Sequence, residues 1–288
     1  HRAEEIVTSA AARWAVRLDG FHDAGWTSVV AVGHRGGVQA VILKAFPGTE
    51  RYLRERAALG HWAGEGVCRL LDADDDEQVL MLELVGGVPG GAPRPDDHLR
   101  RVADALSWLH RAAVAPDGPV PLLADYYAGQ VLPRIERQAH HRGTVIGEHH
   151  VARALALGRE LCSLGESGAM LHADLYAENV LFDQDQRAVF IDPHAKVGSP
   201  AFDWAFWCVY YMPDSGFADR IGLCRERVPA LFDEVLAWSL TLVVDGALHY
   251  LETRDHPAMT AMQEVLRSPI LAPVSGHART DPAQAEDI

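Results

Sequence analysis

Leu171-His-Ala-Asp-Leu-Tyr-Ala-Glu-Asn-Val-Leu-Phe182, followed by Val189-Phe-Ile-Asp-Pro193, is the stretch on which the fold turns. It reads H-x-D-x4-N, then an apolar run, then a second aspartate thirteen residues beyond the asparagine. An isolated H-x-D carries little, but here β-type runs bound the triplet on both sides, which makes the spacing specific. Asp174 is placed to take a proton from an attacking hydroxyl, or to orient it. Asn179 and Asp192 supply the hard oxygen donors that Mg²⁺ prefers, with substrate phosphates completing the shell. Phosphoryl transfer from a nucleotide needs that inventory, because its catalysis is mostly positioning and charge neutralisation. A carboxylate of ordinary pKa is a weak base toward an alcohol, so alignment for in-line attack is the larger part of Asp174's task. His172 reads as a brace for this loop rather than as a catalyst.

Upstream, residues 27–32 and 38–46 are β-rich runs joined by Gly33-His-Arg-Gly-Gly37 and form a predicted hairpin. Lys44 lies late in the second run, in the pattern Val41-Ile-Leu-Lys44. A lysine within an apolar strand is costly unless paired, so Lys44 is expected to contact nucleotide phosphates and to be held by a carboxylate. Glu55, in a polar helix over residues 50–63, is the first choice of partner and Glu50 the second. The glycine turn, Gly36 included, offers N–H groups that could lie over phosphates, or is an ordinary hairpin turn. Residues 67–71 and 78–85 read as two more strands around an acidic turn at 72–77. The main chain of Glu83 and Val85, just before a run of chain breakers, is positioned to pair with an adenine edge.

The breaker-rich stretch 86–95 marks a boundary. Beyond it the pattern is helical: Leu99, Val102, Ala103, Leu106 and Leu109 make one stripe, and helices are expected at 151–164, 202–211, 221–238 and 240–252. Residues 4–18 also show helical spacing. Asp203 opens the helix after Pro200 and is read as structural, capping that helix and bracing the catalytic loop. The expected organisation is a β-rich lobe over residues 1–85, a helical lobe over 86–268 and a loose tail over 269–288.

Asp and Glu number 40 against 26 Lys and Arg, a formal charge of −14. That balance argues against a nucleic-acid partner, which would want a basic face, and favours a cationic ligand. Acidic residues of the helical lobe (Asp125, Glu136, Asp214, Asp219, Glu234 and Asp245) are the candidates to receive its ammonium or guanidinium groups. The four cysteines are scattered without C-x-x-C spacing, as expected of reduced thiols. No apolar run has the length of a membrane span, and His1-Arg-Ala-Glu-Glu lacks a signal-peptide apolar core, so a cytoplasmic protein is expected. The histidine pairs His140-His141 and His149-His150 lack carboxylate or cysteine company and read as exposed.

Together these residues resemble the aminoglycoside phosphotransferase family. The resemblance runs from the Trp14 region to about residue 265. Ala40-Val-Ile-Leu-Lys44 looks like the family's nucleotide lysine and Glu55-Arg-Ala-Ala-Leu59 like the helix holding its partner. His172-Ala-Asp-Leu-Tyr-Ala-Glu-Asn179 looks like the catalytic loop, and Val197-Gly-Ser-Pro-Ala-Phe-Asp203 like the G-D-P-x-x-D that follows it. Cys68-Arg-Leu-Leu-Asp-Ala-Asp74, Val79-Leu-Met-Leu-Glu83 and Ile191-Asp-Pro193 are most similar to the streptomycin 6-kinase and hydroxyurea kinase branch. Ala173 stands in place of the usual glycine and Ser199 in place of the usual aspartate. The resemblance implies an α+β, bilobal, protein-kinase-like fold with a small antiparallel sheet. It implies transfer from ATP or GTP, with Mg²⁺, to a hydroxyl of a small cationic antibiotic. A peptide or nucleoside antibiotic, or a metabolite, remains open as acceptor. No A-P-E stretch follows Asp192, which speaks against a protein substrate, and no obligate protein partner is evident.

Overall fold

The first 22 residues divide between a helix and a strand. The structure, a computed structural model, describes residues 2–22, 28–111, 118–163 and 168–272. In it α1 (Arg2–Arg13) ends before Ala15, which has a left-handed φ of 53°, and β1 (Val16–His22) follows. Helical spacing had extended to residue 18 because Leu18 falls one turn after Trp14, but Leu18 belongs to an edge strand. β2 (Val29–Arg35) pairs antiparallel with β1 and with β3 (Gln39–Ala45). Gly33 lies within β2 opposite Leu18, not in the turn, and a Cβ there would meet the Arg17 carbonyl oxygen at 2.6 Å. Thr27, expected to start this strand, lies outside the described residues.

α2 (Thr49–Trp62) then crosses to β4 (Leu70–Asp74) and β5 (Val79–Glu83), giving the order β1-β2-β3-β5-β4. β4 begins three residues later than its apolar run, because residues 66–68 pair with the helical lobe instead. Cys68 N–H donates to Phe190 O (2.9 Å) and Phe190 N–H to Gly66 O (2.8 Å), which fastens the two lobes together. Alternation along β3 sorts its side chains. Val41, Leu43 and Ala45 pack under α1 against Val7, Ala10 and Ala11. Ile42, Lys44 and Phe46 therefore face the opposite side, where α2 lies.

The larger lobe is built around one long helix. Of the expected stripe, α3 (His98–Leu109) buries Val102, Ala103, Leu106 and Leu109 and leaves Leu99 partly buried. α4 (Leu123–Tyr126) runs through a π-type turn at Tyr127–Val131 into α5 (Leu132–Ile146), and α6 (Glu148–Ser163) follows. The catalytic segment supplies four three-residue strands: β6 (Ala169–Leu171), β7 (Val180–Phe182), β8 (Ala188–Phe190) and β9 (Lys196–Gly198), with β6 paired to β9 and β7 to β8. α7 (Ala201–Tyr210), α8 (Phe217–Arg227), α9 (Phe232–Thr253) and α10 (His256–Leu266) complete the fold. The break expected near residue 239 lies instead at Val228–Pro229, since proline has no N–H to continue α8. α9 is buried from Val235 to Leu248, which is why its apolar residues do not resolve into one stripe. The first residues of the expected tail are packed: Leu271 is buried, and its carbonyl accepts from Arg153 at 3.2 Å. Residues 273–288 and Leu164 lie outside the described set. Among the described residues no helix is long and apolar enough to cross a membrane.

Candidate active site

Lys44 is buried on the α2 side of β3, as strand alternation requires. Its Nζ donates to Glu55 Oε1 (2.7 Å) and Oε2 (2.8 Å), and also to Asp192 Oδ1 (2.6 Å). Glu50 is not the partner; it pairs with Arg54 at the surface. Burial works against the Lys44 charge, but Glu55 and Asp192 outweigh it and its pKa lies above the ordinary lysine value. Arg51 also donates to Asp192 Oδ1 (2.9 Å). Burial opposes ionisation of Asp192, yet Lys44 and Arg51 together hold its carboxyl down at about 2. Arg51 went unread in the sequence. The signal was its place four residues before Glu55, on the same face of α2.

The catalytic loop is held from behind by one buried carboxylate. Asp203 accepts the His172 N–H (Oδ2, 2.8 Å) and the Ala173 N–H (Oδ1, 2.8 Å), and contacts His110 Nε2 at 2.9 Å. It braces the loop but does not cap α7, where the Ser199 hydroxyl instead accepts from Ala201 N–H at 3.4 Å. His172 is fully buried, stacked on Trp62, with Nε2 2.9 Å from Ile191 O. Burial pulls its pKa down to about 4, so the neutral ring donates from Nε2 to that carbonyl. Ile191 N–H in turn donates to Asn179 O (3.0 Å), which sets the asparagine beside the start of the Asp192 segment. Asn179 Nδ2 donates to both Asp174 O (2.8 Å) and Asp174 Oδ2 (2.9 Å). Burial, and then the charge of Asp192, pushes the Asp174 carboxyl up to about 6.

Lys44, Glu55, Asp174, Asn179 and Asp192 thus form one chain of contacts, with His172 and Asp203 behind it. Asn179 and Asp192 suit Mg²⁺: both offer oxygen, and the two Nδ2 bonds to Asp174 leave Asn179 Oδ1 as a free acceptor. Among the described residues no three His, Cys, Asp or Glu side chains converge on a metal position. Two protein oxygens and substrate phosphates are the set expected for this ion.

The three remaining nucleotide candidates are not drawn into that chain. Gly36 sits in the β2–β3 turn, beyond Gln39, whereas Lys44 is at the other end of β3, opposite Val30. The connection that ends beside Lys44 is β1–β2, whose residues 23–27 lie outside the described set. With β1 unread, the β2–β3 hairpin looks like the first of the sheet. Glu83 pairs with Val41, three residues before Lys44. Its N–H is taken by Arg69 O (3.0 Å) and its carboxylate by Arg69. Glu83 and Val85 line a separate hollow of about 980 Å³ that contains none of the catalytic chain.

A cavity of about 180 Å³ adjoins Asp174 on the helical-lobe side. Tyr126, Tyr176, Phe206 and Tyr210 form its walls, and Arg134, Asp245 and Lys196 supply its other charges. Tyr210 can lie against α9 only because residue 246 is glycine: a Cβ there would stand 2.6 Å from the Tyr210 hydroxyl. Of the six acidic candidates only Asp245 lines this cavity, and Arg134 holds both its oxygens (3.0 and 2.6 Å).

The comparisons with known proteins agree with this geometry. Residues 13–230 match the family described as aminoglycoside/hydroxyurea antibiotic resistance kinase. The chain is 30% identical over 271 residues to a streptomycin 6-kinase of Streptomyces glaucescens, covering 88% of this chain and 86% of that one. It is 27% identical over 279 residues to a streptomycin 6-kinase of Streptomyces griseus, covering 92% and 89%. Among solved structures, an aminoglycoside phosphotransferase in ternary complex with ADP and hygromycin B superposes with a TM-score of 0.62. It shares 19% identity and covers 95% of this chain and 100% of its own. That likeness shows a shared bilobal, kinase-like α+β fold. With a family match over residues 13–230, and Lys44, Glu55 and the H-x-D-x4-N loop linked through Asp192 and the Ile191 main chain, this protein belongs to the aminoglycoside/hydroxyurea antibiotic resistance kinases.

Proposed function

We propose that the protein transfers the γ-phosphoryl group of ATP, or of GTP, to a hydroxyl of a small antibiotic and so confers resistance to it. The observation that supports this reading is the series Glu55–Lys44–Asp192, tied through the Ile191 N–H to Asn179 and from there to Asp174, which sets a buried cation and a cavity-side carboxylate in one arrangement. Residues 1–85 bind the nucleotide and residues 86–268 the acceptor. Val41, three strand residues from Lys44 and paired with Glu83, puts the lobe junction on the order of 10 Å from the lysine. That is about the reach of a nucleotide from base to phosphate. Lys44 orients the phosphates and Glu55 keeps it extended and charged. Mg²⁺, held by Asn179 and Asp192, supplies charge neutralisation at the phosphates. Asp174 aligns the acceptor hydroxyl and takes its proton as the new P–O bond forms. Asp203 and His172 fix the loop, so that alignment costs no rearrangement at the moment of transfer.

Relatives named streptomycin 6-kinases favour a streptomycin-like aminoglycoside as acceptor. The charge of −14 would draw such a cation toward the protein. The added phosphate brings about −1.5 to −2 charges, enough to spoil recognition of a cationic drug. We place the reaction in the cytoplasm, where the nucleotide is. The test is Asp174→Asn, assayed by ADP release with streptomycin, nucleoside antibiotics and tuberactinomycin peptides. Turnover is expected to fall roughly 10²–10⁴-fold while Mg·ATP binding persists. Unchanged turnover would remove Asp174 from the mechanism.

A further inference from the structure

Two cations meet at Asp192, and they differ in how many of their donors are in use. Lys44 is fully engaged: an ammonium has three N–H groups, and its bonds go to Glu55 (2.7 and 2.8 Å) and Asp192 (2.6 Å). Arg51, in the first turn of α2, reaches from the β-rich lobe to the helical one, where its Nη2 donates to Asp192 Oδ1 at 2.9 Å. A guanidinium has five N–H groups in a rigid fork, and among the described residues this bond is the only one Arg51 makes. Its Nε is shielded from solvent and, among the same residues, has no hydrogen-bond partner. A buried donor left open in this way costs stability unless something else fills it. The side chain as a whole is 29% exposed, so an incoming group can reach the fork.

The place of the fork decides what would fill it. Lys44 and Arg51 both use Oδ1 of Asp192, and among the described residues its Oδ2 accepts no hydrogen bond. That oxygen is left for the ion which Asp192 and Asn179 suit. In phosphoryl transfer such an ion bridges the β- and γ-phosphates, so a cation on the other oxygen of the same carboxylate adjoins the phosphate chain. The far end of the transfer is close by: Ile191 N–H donates to Asn179 O (3.0 Å) and Asn179 Nδ2 to Asp174 Oδ2 (2.9 Å). The group in transit passes between Asp192 and Asp174. Among the described residues Arg51 is the one arginine hydrogen-bonded to either carboxylate. Planar, two-pronged recognition of phosphate is what a guanidinium does better than an ammonium.

We infer that Arg51 is a second phosphate-binding cation, directed at the γ-phosphoryl group: it keeps one N–H on Asp192 and turns the rest of its fork to the oxygens of the group being transferred. The inference rests on the phosphotransferase reading and adds a catalytic residue to it. The bond from the γ-phosphorus to the bridging oxygen breaks, and its electron pair leaves with the nucleoside diphosphate. The acceptor oxygen forms the new P–O bond, and its proton passes to Asp174. The three other γ-oxygens stay charged throughout, and Arg51 holds them while Lys44 stays with the α- and β-phosphates.

The experiment titrates full chains calorimetrically with Mg·ADP and with Mg·AMP-PNP, which differ by the γ-phosphoryl mimic, so no acceptor is needed. Arg51→Gln should weaken AMP-PNP roughly tenfold or more and ADP by less than about threefold. Arg56→Gln removes a charge from the same helix, at a surface pair with Asp75 (3.2 Å), and should change the ratio of the two affinities by less than about threefold. Arg51→Met replaces the glutamine variant if that one fails to fold. Equal losses for both nucleotides would make Arg51 a holder of Asp192 alone and overturn the inference. Unchanged affinity for AMP-PNP, or the same selective loss in Arg56→Gln, would overturn it too. Failure of the phosphotransferase reading would show separately, as a wild-type chain that binds neither nucleotide.

Discussion

Around Lys44 each buried charge is held by an opposite one, whereas among the described residues Lys196, in the cavity beside Asp174, is held by main-chain carbonyls and no carboxylate reaches it at ion-pair distance. Lys44 is held by two carboxylates, and Asp192 by two cations. That arrangement suits a site whose ligand is the same in every turnover: the protein charges are fixed in advance, so little reorganises when phosphates arrive. The cavity beside Asp174 pairs Arg134 with Asp245 and gives Lys196 main-chain carbonyls, so its charges are fixed by a different set of partners.

The sharpest break of the comparison is on the nucleotide side. Lys44→Met leaves Glu55 buried without a partner and should destabilise the fold by roughly 3–5 kcal/mol in urea titrations. Adding Glu55→Leu should restore much of that stability and none of the turnover, which separates pairing from catalysis. A single variant as stable as the wild type would mean that the pair is not a structural unit. Behind the loop, Asp203→Ala orphans two buried N–H groups, at roughly 1–3 kcal/mol each, and should lower turnover through Asp174 although it touches no substrate. Retained turnover there would deny the loop its brace.

On the acceptor side, Gly246→Ala drives a methyl group into Tyr210 and should cost roughly 1–3 kcal/mol by overpacking. It should also raise the acceptor KM while leaving the nucleotide KM alone; a shift in the nucleotide KM would mean that the two regions are coupled. The smallest effect is expected at Ala173, which holds φ = 58° where a glycine would be unstrained. Ala173→Gly should gain roughly 0.5–1 kcal/mol, the relief of a left-handed Cβ less the added freedom of the unfolded chain, seen as a higher Tm. A lower Tm would show that the Cβ packing of this buried residue outweighs its strain.

Much of the contact series around Asp174 was legible because its spacing is local. Asp174 and Asn179 lie within one loop, and Asp192 is one short hairpin away, so a motif can hold all three. Lys44 and Glu55 were legible because an apolar strand makes an unpaired lysine improbable. The reading failed where two periodicities coincide. Leu18 satisfies a helical turn from Trp14 and a strand alternation from Val16 equally, and without that strand the sequence does not show that Gly36 lies at the end of β3 away from Lys44. α9 also misled, since a helix buried on all sides shows no stripe from which to find its ends.

The amino-acid order alone determined the class of fold and singled out the side chains that the structure gathers around Lys44 and Asp174, because these depend on short spacings and on alternation within single strands. Only the tertiary structure decided that Asp203 braces rather than caps, that Arg51 shares Asp192 with Lys44, and that Asp245 is already neutralised by Arg134. Those facts join residues as much as 141 positions apart, as with Arg51 and Asp192. Whether a buried charge is spent or free depends on what long-range packing brings beside it, and no local pattern records that.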